Sequence, residues 1–189
     1  MKYQDAARKL ESLGKKLTAL NEEMAEVRRA AEPQEMKDYA FTRSTGDAAS
    51  LKDLFGSKKD LFVIHNMGRG CAYCTLWADG FNGVYDHLAN RAAFVVATPD
   101  KPEAQARFAA SRHWRFPMIS YRGTTFAEDT GYGDDGSFMP GVSVFQKKNG
   151  KVVRVSDTSF GPGDIYCSVW HLFDLIPEGA DGWQPKYKY

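Results

Sequence analysis

Apolar residues recur at alternating steps of three and four through the first thirty positions: Tyr3, Ala6, Leu10, Leu13, Leu17, Leu20, Met24, Val27 and Ala31. Lys, Arg, Glu, Asn and Gln fill most of the positions between them. This spacing is a heptad seam, and it predicts one long amphipathic helix over residues 1–32, ended by Pro33. Two readings of the seam stand side by side. The helix lies along its own domain, or it forms a coiled-coil arm that pairs with a second subunit. Gly14 and Thr18 weaken the seam, and periodicity alone does not choose the partner.

The pattern then changes. Tyr39-Ala-Phe-Thr alternates as a short strand, Gly46 marks a turn, and Ser50–Gly56 reads as one helical turn with a serine cap and a glycine stop. Leu61–His65 is an apolar strand leading into a glycine-flanked turn, then Cys71, Cys74 and a helical pattern. Trp77, Phe81, Val84 and Leu88 fall on one face of that helix, while Gly80 and Gly83 predict a kink or close packing. The continuous apolar run Ala92–Thr98 is that of a strand covered on both faces. A helix over 101–113 opens on Pro102, a strand covers 115–121, and a loop-rich stretch runs from Gly131 to Pro140. Val142–Gln146 and Val152–Asp157 form a hairpin around Asn149-Gly150, and a last helix is predicted from Gly163 to Ile176. Strands alternating with helices give an α/β domain in three layers, a central mixed sheet with helices on both faces. The organisation expected is an N-terminal helix over 1–34 and this α/β domain over 35–189.

Charge narrows the partners. With 25 basic and 24 acidic side chains the net charge is +1, so neither nucleic acid nor an anionic membrane is expected. No apolar run approaches a membrane span, and the N-terminus lacks the apolar core of a secretory signal, so a cytoplasmic location is expected. Three cysteines, an odd number, argue against a disulfide framework.

The chemistry concentrates at Cys71 and Cys74. A thiol in the first turn of a helix meets unpaired N–H groups and the positive end of the helix dipole, which favour thiolate, and Arg69 stands two residues before it. Cys71 is therefore the expected nucleophile and Cys74, one turn deeper, the resolving thiol. Competing readings are a zinc half-site, which needs a second ligand pair, a c-type haem site, which needs His where Thr75 stands, and two incidental cysteines. Cys167 and His171 do not supply that second pair. A stripe of Ile165, Val169, Leu172 and Ile176 puts them on the opposite side of the last helix, which gives Cys167 a surface or interface role. No metal and no bound cofactor are expected. Asp79, off the apolar stripe of its helix, either approaches the dithiol as a proton carrier or makes a structural hydrogen bond. Tyr73 is expected to be exposed and, with Arg69, to shape a docking surface.

The order of elements, with Cys-x-x-Cys at a strand-to-helix junction, resembles the thioredoxin superfamily. Phe41–Val63 looks like the entry segment of peroxiredoxin-like and thiol-reductase-like members, and Phe116-Pro-Met-Ile-Ser120 resembles a peroxiredoxin strand. Arg28-Arg29, Lys37-Asp-Tyr39, Cys71-x-x-Cys74, Trp77–Gly83, Trp114-Arg-Phe-Pro117 and Ser143-Val-Phe145 together resemble the bacterial domain-of-unknown-function family 899. The resemblance implies a thioredoxin-like fold behind the long N-terminal helix. It also implies that Pro140, or Gly141 after it, stands where thioredoxins carry a cis-proline that docks substrate. His65, six residues before Cys71, takes the place of the buried acid that shuttles protons in thioredoxins, although a satisfied strand histidine is the plainer reading. Peroxiredoxins carry Pro and Thr seven and three residues before their reactive cysteine. Here Ile64 and Gly68 occupy those positions, which counts against a peroxiredoxin mechanism.

The function expected is thiol–disulfide exchange on protein or small-molecule disulfides, with Cys71, Cys74, His65 and Asp79 as the catalytic set. The alternatives are a non-catalytic thioredoxin-like module dimerising through the N-terminal helix, and a metal-binding variant.

Overall fold

A computed structural model describes residues 1–189. Helix α1 (Tyr3–Ala30) is followed by β1 (Gln34–Met36), β2 (Ala40–Arg43) and β3 (Ala48–Ser50). A 3-10 turn at Asp53–Phe55 leads to β4 (Asp60–His65), α2 (Ala72–Gly83), α3 (Tyr85–Arg91) and β5 (Ala93–Thr98). Then come α4 (Pro102–Arg112), β6 (Met118–Ser120), α5 (Phe126–Asp129) and the short strands β7 (Gly133–Asp134) and β8 (Ser137–Phe138). The hairpin of β9 (Gly141–Lys148) and β10 (Lys151–Ser159) and helix α6 (Ser168–Phe173) complete the order.

The main sheet has eight strands in the order β1-β10-β9-β4-β5-β6-β2-β3. β4, β5 and β6 run parallel, and β9 lies antiparallel to β4 on its other side. The strand leading to Cys71 is thus hydrogen-bonded along both edges and covered on both faces, which explains its unbroken apolar run. Its side chains alternate between two cores. Leu61 and Val63 join Val95, Ile119, Phe126 and Phe145 on one face. Ile64 joins Trp77, Phe94, Val96 and Trp170 on the other, the face that α2 and α6 cover. The hairpin turns on Asn149 and Gly150, both at positive φ (51° and 80°), as a two-residue Asn-Gly turn requires. Ser50 and Asp53 cap the 3-10 turn reciprocally, each side chain accepting the other's amide.

Three expectations need correction, and two short strands lie outside them. The long N-terminal helix forms, but none of its residues is buried, so it does not lie along its own domain. Helix α2 breaks at Gly83, in keeping with the kink expected of its glycines, but Val84 leaves the expected buried face: it is 47% exposed, while Tyr85 packs on Phe94 and Phe116. The short strands β1 and β3 escape the sequence pattern because three residues are too few to show alternation.

The closing helix spans only Ser168–Phe173, because Asp164 holds the preceding segment in a loop by accepting the amides of Gly161 and Tyr166. The expected apolar stripe is consequently reversed. Ile165, Leu172 and Ile176 are exposed, while Cys167 and Trp170 enter the core beside Trp77, so Cys167 is no surface thiol. Two large aromatic rings, Trp170 and Phe173, share the inner face with Val169 and leave Leu172 outside, because they bury more apolar surface.

Candidate functional site

The turn between β4 and α2 is built by two residues that the sequence reading did not single out. Asn66, buried, accepts the Gly68 amide at 2.8 Å and extends its side-chain amide toward the Cys74 carbonyl at 3.4 Å. Asp100, just beyond β5, accepts the Arg69 amide at 2.7 Å. Gly68 sits at φ 98°, and a β-carbon there would lie 2.8 Å from the Asp100 carboxylate, so glycine is required twice over. The signal for Asn66 was available as an Asn two residues before a glycine, the pattern of an Asx turn. Asp100 becomes visible only once β5 is set beside β4.

Cys71 is the N-cap of α2. Its sulfur accepts the Cys74 amide at 3.0 Å, and its carbonyl accepts the amide and the hydroxyl of Thr75. It is half-buried, whereas Cys74 is only 2% exposed. The Cys74 thiol donates a hydrogen bond to the Cys71 sulfur, and the amides of Cys74 and Tyr73 add to it. Together they outweigh burial and bring Cys71 down to about 6. The same hydrogen bond and burial push Cys74 far up. One sulfur of the pair is therefore a half-buried thiolate at neutral pH and the other a buried thiol. Arg69 is exposed and is not among the groups that lower Cys71, so the expected contribution of its guanidinium is replaced by the local N–H and S–H donors.

The remaining expected site residues are placed elsewhere. His65 points to the sheet face opposite α2, as its alternation with Ile64 dictates. Its ring stacks on Tyr132 with centroids 3.9 Å apart and on Phe126 at 5.5 Å, and its Nε2 pairs with the Ser143 hydroxyl at 2.8 Å. Burial, helped by the nearby Arg154 charge, lowers it to about 3, so it is neutral throughout the working range and unsuited to shuttling protons. Asp79 accepts two hydrogen bonds from the Arg112 guanidinium and one from the Trp114 indole at 2.8 Å, joining α2 to α4 rather than serving the dithiol.

Tyr73 is half-buried and stacks on Trp170 at 6.1 Å, so it is part of the α2–α6 packing and not a free docking surface. Pro140 has a trans peptide, is buried, and lends its carbonyl to the Phe160 amide. Gly141 pairs with His65 across the sheet, and a β-carbon there would lie 2.2 Å from the Tyr132 ring. Its missing side chain makes room for Tyr132.

The Asp79–Arg112 pair also holds the C-terminal tail. Arg112, already paired with Asp79, donates to the Tyr187 carbonyl at 2.8 Å, and the Tyr187 ring packs against Phe108. Burial there raises the Tyr187 hydroxyl. No three His, Cys, Asp or Glu side chains are grouped to hold a metal ion.

A model of a bacterial protein family of unknown function, DUF899, matches residues 1–189. The chain belongs to that family. No curated protein matches the DUF899 chain in sequence. Its fold is shared with solved structures of low identity. Peroxidoxin BcpB of Mycobacterium tuberculosis superposes with a TM-score of 0.55 at 24% identity, covering 67% of this chain and 84% of that one. PrxQ of Xylella fastidiosa gives 0.55 at 10% identity, covering 68% and 85%. A putative protein disulfide isomerase of Bacteroides thetaiotaomicron gives 0.51 at 18% identity, covering 67% and 77%. The DUF899 chain is thus thioredoxin-like in fold, with α1 added ahead of it. No helix is long and apolar enough to cross a membrane.

Proposed function

We propose that this protein is a thiol–disulfide oxidoreductase acting on protein or small-molecule disulfides. The observation that carries the reading is the asymmetry of the pair: Cys71 caps α2, accepts the Cys74 amide at 3.0 Å and titrates at about 6, while Cys74 is buried and protonated. In the reducing direction the Cys71 thiolate attacks one sulfur of the substrate disulfide. That S–S bond breaks, and the other substrate sulfur departs as a thiolate. The departing thiolate takes the Cys74 proton, and the Cys74 sulfur attacks Cys71 in the mixed disulfide. The second substrate sulfur leaves and takes a proton from water. Two electrons pass to the substrate, and the protein is left with a Cys71–Cys74 disulfide.

Another dithiol, entering by the reverse exchange, restores the reduced form. His65 and Asp79 have no part in this sequence. Asn66, Gly68 and Asp100 hold the turn that presents Cys71. The working compartment is a reducing one, where such a pair is kept supplied with electrons.

The test is reduction of a model disulfide by stoichiometric reduced protein, comparing wild type with Cys71→Ser and Cys74→Ser. The reading expects no turnover by Cys71→Ser and a stable mixed disulfide on Cys71 in Cys74→Ser. Reduction that persists undiminished in Cys71→Ser contradicts it and leaves a non-catalytic module as the account of the fold.

A further inference from the structure

The longest element of the chain serves no purpose in the site described above. Helix α1 has 28 residues and no buried one. Its seam faces solvent throughout: Leu10 is 67% exposed, Leu17 and Leu20 are each 56%, and Val27 is 66%. Only its last turns approach the sheet, where Ala25, Arg28 and Arg29 share a recess with Gln146, Lys148 and Ser156. A single helix in water gains little from such a stripe, which is stable only when covered.

We propose that α1 is a dimerisation arm that packs antiparallel against α1 of a second copy of this chain. Two arguments identify the occupant. The first is size. A helix of 28 residues is about 42 Å long, and half the lateral surface of such a cylinder is roughly 700 Å². That approaches the ~800 Å² per partner of a standard interface, and a regular heptad seam is complementary to another of its kind.

The second argument is charge. Flanking the seam are Lys9 and Lys16 in the first half and Glu23 and Arg28 in the second. Neither Lys16 nor Glu23 is paired within its own chain, unlike Lys15, which bridges to Glu11. Antiparallel pairing in which Leu17 meets Leu20 stacks Leu10 on Val27 and Leu13 on Met24, large residue on large residue. It sets Lys16 of one chain beside Glu23 of the other, twice by symmetry. A parallel in-register pair instead places Lys16 opposite Asn21 and Glu23 opposite Arg28, so a charge change at Lys16 distinguishes the two orientations.

Sedimentation velocity of the full chain tests this, with near-UV circular dichroism to confirm that the α/β domain is intact in each variant. The wild type is expected to be a dimer and Leu13→Lys/Leu17→Lys a monomer with an unchanged near-UV spectrum. Lys16→Glu is expected to weaken the dimer about tenfold, since two attractive pairs become repulsive, and adding Glu23→Lys is expected to restore it. A monomeric wild type overturns the proposal. So does a dimer that survives Leu13→Lys/Leu17→Lys, or one that Lys16→Glu does not weaken, or one that Glu23→Lys does not rescue.

Discussion

The amide of Cys74 points at the sulfur of Cys71, 3.0 Å away, and the Cys74 thiol donates to the same atom. The residue that would resolve a mixed disulfide thus also stabilises the thiolate that would form it. Removing the thiol and keeping the backbone separates these two contributions. In Cys74→Ala, Cys71 is expected to titrate above its wild-type value of about 6 and still below an ordinary thiol, because the amide donors remain. Ultraviolet absorbance of the thiolate across a pH series measures this directly.

His65 makes the fold sensitive to acid. Buried, it titrates at about 3, whereas in the unfolded chain it titrates near 6.5, so below that pH the unfolded state binds a proton that the native state refuses. Stability therefore falls as pH drops below 6.5, by about 1.4 kcal/mol per pH unit from this residue alone, until the native state protonates near 3. Denaturant titrations from pH 7 to 4.5 are expected to show this slope in the wild type and a flatter one in His65→Gln. Equal slopes contradict the account.

Gly141 is tested by the smallest possible substitution. Gly141→Ala puts a β-carbon against the Tyr132 ring and the Thr158 carbonyl, and β9 is held between β4 and β10 and cannot retreat. The expected loss is about 3 kcal/mol, with Tyr132 lifted from its stack on His65. A Tyr132→Ala background, which empties the space, is expected to shrink the penalty, and chemical denaturation of the four proteins measures the cycle.

Asp79 is a structural carboxylate. Asp79→Ala leaves the half-buried Arg112 guanidinium and the Trp114 indole without their acceptor, and the expected cost is about 2 kcal/mol. Because Arg112 also holds the Tyr187 carbonyl, the last residues of the chain are expected to lose protection in hydrogen exchange. Unchanged exchange there contradicts the link between Asp79 and the tail.

The fold was legible where elements are long or fully buried. The run Leu61–His65, the apolar Ala92–Thr98, Pro102 opening a helix and Asn149-Gly150 turning a hairpin each carry their own local signature. The position of Cys71 at a helix start was legible for the same reason, since strand, turn and helix succeed one another in sequence. The surroundings of the pair were not, because they arise from contacts between distant segments. Asp100 reaches Arg69 across two strands, Arg112 reaches Asp79 across two helices, and Trp170 displaces the aliphatic stripe expected of α6. His65 illustrates the limit most directly. Its distance in sequence from Cys71 is that of the thioredoxin acid, yet its side chain belongs to the other face of the sheet, against Tyr132 and Ser143.

The alkylation rate of Cys71 against pH in fully reduced wild-type protein, followed by mass spectrometry with peptide assignment, tests the central claim most directly. The structure predicts that Cys71 reacts alone, with its rate rising through an inflection near pH 6 and then levelling, while buried Cys74 stays unmodified. An inflection at the ordinary thiol value of about 8.5, or equal labelling of both cysteines, would contradict the reading of Cys71 as an activated nucleophile.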